Sequence, residues 1–184
     1  METKKILVVI DVQNDFIDGA LYNEVAKARI PNIIKKINEF DGEHILITKD
    51  THNDNYMKTS EGMNLPVPHC IKGTDGWELN KEVQAAIGAK NVTVTTIEKP
   101  TFGSWELVSV MRAISEAFDC PIEVEMIGFC TNICVVSNAI MIKTALFDKT
   151  NVSLTIDSNC CAGVTSEKHE AALEVMRSCQ INVI

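Results

Sequence analysis

The sequence has no excess of positive charge and no long run of basic residues. Its 17 lysines and arginines are outnumbered by 25 acidic residues, which gives a formal net charge of -8 at pH 7. Nucleic acids and anionic membrane surfaces attract proteins through concentrated positive charge. We therefore expect neither of them as a partner.

Long hydrophobic runs are lacking as well. The first apolar run is only ILVVI, and Asp11 follows it, so it is too short for a signal peptide. The longest uncharged stretch, residues 126–142, makes a poor membrane span because it contains Thr131, Asn132, Ser137 and Asn138. Seven cysteines, an odd number without regular spacing, are typical of free thiols in a reducing compartment. These features predict a cytoplasmic protein.

Short β-rich runs alternate with amphipathic helical patterns along the 184 residues. Near-continuous apolar strands in such an alternation indicate a mostly parallel sheet covered by helices on both faces. We expect one domain over residues 1–184, a three-layer α/β/α fold with a six-stranded, Rossmann-like sheet. Strands are predicted at 4–11, 44–50, 91–99, 121–128, 151–157 and 181–184. Helices are predicted at 22–40 (divided by Pro31 or beginning there), 104–118, 131–147 and 166–179.

Residues 51–80 do not fit this alternation. They have no clear period, contain Gly and Pro breaks, and include two of the four histidines. Loops of this length inside compact domains are usually functional or disordered. The two histidines favour a functional loop.

Reactive side chains follow the predicted strands. The first strand ends at Asp11, the second at Asp50 and the third at Lys99, while the fourth leads into Thr131 and Cys134. Ligands of open parallel α/β sheets bind beyond the carboxyl ends of the strands. We therefore expect an acid, a cation and a thiol to converge at one edge of the sheet.

The predicted position of Cys134 suits a nucleophile. With Thr131 as N-cap, Cys134 is the third residue of a helix, where the helix dipole and Lys99 would lower the pKa of the thiol. Asp11 could accept the thiol proton and pass it to a leaving group. The alternative is a buried structural cysteine between ordinary charges at strand ends.

Three segments resemble the signature segments of the isochorismatase-like cysteine hydrolases, a family that includes the nicotinamidases. They read VVIDVQNDFIDGAL, EKPTFGSW and GFCTNICVVSNA, and they occur in the order and spacing of that family. The resemblance implies a catalytic triad of Asp11, Lys99 and Cys134. It also implies a cis peptide bond between Phe129 and Cys130, and an oxyanion hole formed by the backbone N–H groups of Cys130 and Cys134.

The loop after the second strand is similar to the metal-binding loop of the nicotinamidase branch. The resemblance implies a divalent metal, with Zn²⁺ as the first choice and Mn²⁺ or Fe²⁺ as alternatives. Two imidazoles and carboxylates suit all three ions. The implied ligands are Asp50, His52, Glu61 and His69. The alternative is a loop anchored by hydrogen bonds from Asp50 and His52.

The loop departs from the nicotinamidase pattern in one respect. Nicotinamidases carry an aromatic residue shortly before the Pro-x-His segment, where it packs on the pyridine ring, and NLPVPHC has no aromatic residue near Pro66. We expect Phe16, Phe129 and Trp105 to line the substrate pocket instead, with Phe102 as a further candidate.

Other polar and thiol side chains are expected to have supporting or structural roles. Gln13 and Asn14 are expected to help place Asp11 or polar groups of the substrate. A structural role is expected for His169, Asp157, Cys160 and Cys161.

The expected function is hydrolysis of a small carboxamide through a thioester on Cys134, with nicotinamide to nicotinate and ammonia as the leading reaction. One alternative is a metal-free relative that cleaves an N-carbamoyl compound, a ureide or the vinyl ether of isochorismate. Another is a thiol redox or metal-binding protein that uses Cys130 and Cys134, and a third is an inactive scaffold. The resemblance also implies a homo-oligomer.

Overall fold

The computed structural model describes residues 2–184 and contains one six-stranded sheet in which every pairing is parallel. The spatial order of the strands is β3-β2-β1-β4-β5-β6. This confirms the predicted α/β class and the parallel sheet. The strands are β1 (Lys4–Ile10), β2 (His44–Asp50), β3 (Thr93–Lys99), β4 (Ile122–Phe129), β5 (Val152–Ala162) and β6 (Asn182–Val183).

Seven α-helices connect and cover the strands. A π-helical turn (Thr131–Val135) precedes the sixth of them, and single 3₁₀ turns occur at Tyr56–Lys58 and Asp75–Trp77. The α-helices are α1 (Asn14–Ile17), α2 (Glu24–Glu39), α3 (Ser60–Asn64), α4 (Lys81–Gly88), α5 (Trp105–Ala117), α6 (Val136–Ala145) and α7 (Ser166–Ser178).

Strand β1 shows why the fold has three layers. Its side chains alternate between the two faces of the sheet, and both faces are buried. Ile6, Val8 and Ile10 belong to the core cluster that α5, α6 and α7 cover. Leu7 and Val9 belong to the opposite cluster, which α2 and α4 cover. The strand predicted from this apolar run is therefore confirmed, and it is buried.

Helix α2 runs through Pro31 without a break, contrary to both expectations for this proline. The side chain of Asn23 starts the helix by accepting hydrogen bonds from the N–H groups of Val25 and Ala26. Proline has no N–H, so the carbonyl of Lys27, four residues before Pro31, has no helical partner. Both residues lie on the exposed side of the helix. Solvent access to that carbonyl makes the proline tolerable there.

Other elements also differ from the prediction. Helices α1, α3 and α4 were missed, and the helix expected at 131–147 begins with the π-helical turn. Strand β5 continues five residues beyond Asp157, with an irregular register against β4 between Met126 and Gly128. Asp157 lies 2.9 Å from the Lys36 ammonium and accepts the N–H of Asn159 at 3.0 Å.

Two expectations drawn from what the sequence lacks can be compared with the structure. Each of the seven cysteines is a free thiol. Within residues 2–184, no helix has the length and apolar character needed to span a bilayer.

Candidate active site

Three reactive side chains meet beyond the carboxyl ends of the strands, at the edge where the sequence placed them. The Lys99 ammonium lies 2.7 Å from Asp11 Oδ2 and 3.4 Å from Cys134 Sγ. Asp11 is fully buried, and Lys99 and Cys134 are 1% and 6% exposed. The structure thus brings the predicted triad together, while the catalytic role of each residue stays a prediction.

The backbone conformation at the end of β1 sets the orientation of the Asp11 carboxylate. Its backbone has a φ of 49°, a left-handed conformation that is unusual for a residue other than glycine. Its N–H still donates to the carbonyl of Thr48 at 3.1 Å, and the Thr48 hydroxyl donates to Oδ1 at 2.7 Å. Among the described residues Oδ2 faces the Lys99 ammonium and has no further partner. One carboxylate oxygen is therefore fixed, and the other remains able to accept a proton.

The end of β4 explains the glycine in GFCTNIC. Gly128 has a φ of 121°, and an added Cβ would overlap the backbone of Ile10 in the neighbouring strand. The peptide bond between Phe129 and Cys130 is cis, as the resemblance implied. These two features turn the chain from the strand into the helical turn that carries Cys134.

The predicted N-cap is wrong. Cys130 occupies the N-cap position, and the Thr131 hydroxyl instead pairs with Nδ1 of His169 at 2.8 Å. His169, expected to be structural, thus ties the start of the turn that carries Cys134 to α7. Cys134 nevertheless lies within this turn, close to the backbone N–H groups at its start.

The predicted lowering of the Cys134 pKa is also wrong. Burial raises the pKa of this thiol well above its ordinary value, and the nearby Lys99 charge offsets only part of that effect. Burial likewise raises the pKa of Asp11, again against the opposing charge of Lys99. In the unliganded protein the sulfur therefore carries its proton at neutral pH, and Asp11 is a stronger base than an exposed aspartate.

A second group of side chains lies directly beside the triad. Asp50 Oδ2 is 3.2 Å from His52 Nε2 and 3.3 Å from His69 Nε2, and Glu61 Oε1 is 3.7 and 3.6 Å from the same nitrogens. One ligand atom from each of the four residues lies within 4.8 Å of the others. Asp50 Oδ1 is also 3.6 Å from the Lys99 ammonium, which places the group against the triad. These are the four ligands that the resemblance implied.

The chemistry of this group fits a divalent metal ion. His52 Nε2 is buried and has no hydrogen-bond partner among the described residues. His69 Nδ1 lies 2.8 Å from the carbonyl of Val67, which favours the tautomer with a proton on Nδ1 and a free lone pair on Nε2. Two imidazole nitrogens and two carboxylates are ligands suited to Zn²⁺, Mn²⁺ or Fe²⁺.

Gln13 and Asp15 hold the segments that carry Asp50 and His69 in place. Both backbone groups of Asp50 bond to the Gln13 side chain, the N–H at 2.7 Å and the carbonyl at 2.8 Å. The Asp15 carboxylate accepts the N–H of Cys70 at 2.7 Å, next to His69. Gln13 therefore positions Asp50, whereas we had expected it to place Asp11 or polar groups of the substrate.

A cavity of about 1270 Å³ opens in front of both groups. Its lining includes Cys134 and the four candidate ligands, together with apolar side chains, among them Phe16, Tyr56, Leu65, Phe102 and Ile133. No lysine or arginine is among the described residues that line it. The cavity therefore suits an uncharged molecule with an apolar body.

The prediction that Phe16, Phe129 and Trp105 line the pocket is wrong for two of the three residues. Phe16 lines the cavity. Phe129 has no exposed surface and packs in the core cluster below, because it is still part of β4. Trp105, the first residue of α5, is 78% exposed and does not line the cavity. Phe102, the further candidate, forms part of the wall. Tyr56 was missed because nothing distinguishes it within an aperiodic loop.

Known proteins are similar to this chain over most of its length. A family model for the isochorismatase domain matches residues 5–184. The chain belongs to the isochorismatase family. A nicotinamidase/pyrazinamidase from Mycobacterium tuberculosis is 26% identical over 193 residues, which cover 98% of each protein. The match confirms the family inferred from the three signature segments.

Solved structures give the same result for the fold of this isochorismatase-family chain. The nicotinamidase PncA from Bacillus subtilis is 27% identical, with a TM-score of 0.77 and 98% of each chain covered. A pyrazinamidase from Pyrococcus horikoshii, solved in complex with zinc, shares the fold at 22% identity, with a TM-score of 0.70 and 98% of each chain covered.

Proposed function

We propose that this protein is an amidohydrolase that converts nicotinamide to nicotinate and ammonia. The observation that carries the proposal is the buried contact of Lys99 with both Asp11 and Cys134, at the base of a cavity that the metal-binding group shares. The names of the similar proteins support the same reaction. The homo-oligomer implied by the resemblance stays a prediction.

In the proposed reaction Cys134 is the nucleophile and Asp11 moves the proton. The sulfur attacks the carboxamide carbon as Asp11 Oδ2 accepts the thiol proton, and the N–H groups of Cys130 and Cys134 receive the oxyanion. Asp11 then gives the proton to the nitrogen, the C–N bond breaks, and ammonia leaves a thioester. Water cleaves the thioester while Asp11 accepts its proton and returns it to the sulfur. Lys99 stabilises the negative charge on either partner.

Asp50, His52, Glu61 and His69 would hold the divalent ion, with Zn²⁺ as the first choice. A bound ion supplies a Lewis acid that attracts a ring nitrogen or a water molecule. By holding the ion, these four side chains would fix the place in the cavity at which that attraction acts. The carboxamide would then point toward Cys134, which lines the same cavity.

Without a metal ion, the lining of the cavity does not suit the substrates of the metal-free alternative. Isochorismate and N-carbamoyl acids carry carboxylates, and a buried carboxylate needs a cationic partner. The described lining residues contain no lysine or arginine, and they include the acidic side chains of Glu24, Asp50 and Glu61. The uncharged pyridine carboxamide avoids both problems.

A redox role for the two cysteines of the TNIC segment has less support. Burial raises the pKa of the Cys130 thiol to about 12. Thiol–disulfide chemistry requires a thiolate, and this pKa keeps the thiolate fraction very small at neutral pH. Cys130 therefore contributes through its backbone in the proposed reaction.

The test is ammonia release from nicotinamide by the purified protein, with bound metal measured on the same sample. We expect turnover by the natural protein, none by Cys134→Ala, and a loss of at most about tenfold in Cys130→Ala, whose backbone N–H is retained. Turnover by Cys134→Ala at the natural rate would overturn the mechanism. Bound metal without turnover of nicotinamide would overturn the proposed substrate.

A further inference from the structure

Asn138 is a fully buried amide that no part of the proposed reaction uses. It lies in α6, four residues after Cys134. Its Nδ2 donates to the carbonyl of Cys134 at 2.8 Å and to that of Phe102 at 3.1 Å, and its Oδ1 accepts the N–H of Ser104 at 2.9 Å. One side chain thus connects the backbone of the nucleophile to residues 100–104, which we call the Lys99 loop because they directly follow that residue.

The sheet alone does not hold Lys99 against Cys134. Strand β3 carries Lys99 at the edge of the sheet, and β2 and β1 separate it from β4. With neighbouring strands about 4.8 Å apart, β3 and β4 are about 14 Å apart. The Lys99 side chain and the chain that follows β4 close this gap together, since the ammonium lies 3.4 Å from the sulfur of Cys134. The ion pair with Asp11 holds the ammonium from the side of β1, and a further connection fixes it relative to the turn that carries Cys134.

The Lys99 loop supplies that connection on the lysine side. The carbonyl of Thr101 accepts a hydrogen bond from the Lys99 ammonium at 3.1 Å. Asn138 bonds to the loop on both sides of Gly103, at Phe102 and at Ser104. Ser104 in turn begins α5 by accepting the N–H of Leu107. The loop that orients the ammonium is therefore bonded to the backbone of Cys134 through Asn138.

We propose that Asn138 is a positioning residue that sets the contact between the Lys99 ammonium and the Cys134 sulfur. This inference rests on the proposed function. Without the amide, the Lys99 loop and the nucleophile's turn lose the side-chain bonds that join them, and the ammonium moves relative to the sulfur. Metal binding should change little, because the candidate metal ligands lie on other segments, and KM should change less than kcat.

The experiment compares Asn138→Ala with a matched control, Asn151→Ala. Asn151 also donates its amide to two backbone carbonyls, those of Cys120 at 2.8 Å and Phe118 at 3.4 Å, but it lies at the amino end of β5. We expect both variants to melt at a lower temperature. Only Asn138→Ala should lose about 10- to 100-fold in kcat for nicotinamide, with a smaller change in KM and with metal content unchanged.

A second measurement does not depend on the substrate. The rate of alkylation of Cys134 by iodoacetamide, followed on its own peptide by mass spectrometry, should fall about fivefold or more in Asn138→Ala and stay unchanged in Asn151→Ala. If Asn138→Ala does not fold, Asn138→Thr takes its place, since its hydroxyl can still bond to the Cys134 carbonyl while the bonds to the Lys99 loop are lost.

Two results would overturn the positioning role. The first is that kcat and the alkylation rate of the Asn138 variant stay within twofold of those of the natural protein. The second is that Asn151→Ala loses as much of both as the Asn138 variant does. If the natural protein releases no ammonia from nicotinamide, the proposed function fails, and the alkylation rates still decide the role of Asn138.

Discussion

Replacement of Gln13 by alanine tests how Asp50, one of the four candidate metal ligands, is held in place. Strand β1 ends at Ile10, so at Asp50 the strand β2 has no neighbour on that side. The side chain of Gln13 takes the place of the missing strand, because it bonds to both the N–H and the carbonyl of Asp50, at 2.7 and 2.8 Å. Its Nε2 also donates to the carbonyl of Trp77 at 2.8 Å.

The expected loss of stability follows from these bonds. Gln13 has no exposed surface and Asp50 is only 5% exposed, so Gln13→Ala leaves two buried backbone groups of Asp50 without partners. Each such group costs about 1–3 kcal/mol. The carbonyl of Trp77 is only partly buried and reaches solvent at little cost. Allowing for water that enters the space left, we expect the free energy of unfolding to fall by about 3 kcal/mol.

Urea unfolding in the presence of a chelator measures this change without a contribution from bound metal. Asn14→Ala is the matched control, since the adjacent amide makes a single exposed bond, to the carbonyl of Asp75. It should change the free energy of unfolding by less than about 0.5 kcal/mol. In metal titrations Gln13→Ala should also bind Zn²⁺ more weakly than Asn14→Ala. Equal stabilities of the two variants would refute the reasoning.

The remaining predictions concern the metal, the cavity and pH. The double variant His52→Ala, His69→Ala should contain no stoichiometric divalent metal; metal retained at one ion per chain would show that the ligands lie elsewhere. Phe102→Ala should raise KM for nicotinamide several-fold, and Trp105→Ala should leave it unchanged; the opposite order would contradict the cavity wall described above. Burial lowers the pKa of His169 below its usual 6.5, so the unfolded chain takes up its proton first and stability falls as the pH drops below 6.5. His169→Gln should therefore lose less in melting temperature between pH 7.5 and 5.5 than the natural protein, and equal losses would exclude this histidine as the cause.

The fold and the triad were predictable from the sequence because they depend on local order along the chain. A buried apolar run predicts a central strand, and parallel strands bring their carboxyl ends to one edge. Asp11 follows the central strand β1, Lys99 ends the edge strand β3 and Cys134 follows β4, so their meeting required no knowledge of side-chain packing. The candidate metal ligands could not all be predicted from local order along the chain. Asp50 and His52 follow a strand, but Glu61 and His69 lie in an aperiodic loop, and only the resemblance indicated them.

The wrong predictions share a physical cause: tertiary packing decides how deeply a side chain is buried and which way it points. Phe129 and Trp105 adjoin the site in the sequence, yet one side chain belongs to the core and the other faces solvent. Thr131 was expected to cap a helix because nothing in the sequence places His169 beside it. The sign of the Cys134 pKa shift was wrong because desolvation of the thiol outweighs the charge of Lys99.

The raised pKa of Cys134 is compatible with its role as nucleophile in the proposed reaction. Transfer of the thiol proton to Asp11 moves one negative charge from a carboxylate 2.7 Å from the Lys99 ammonium to a sulfur at 3.4 Å. With an effective dielectric constant of about 20, the two attractions differ by only about 1 kcal/mol. Burial raises the pKa of Asp11 as well as that of Cys134, so desolvation acts on donor and acceptor in the same direction. The transfer therefore creates no new buried charge, and the thiolate is needed only while the substrate carbon is within reach.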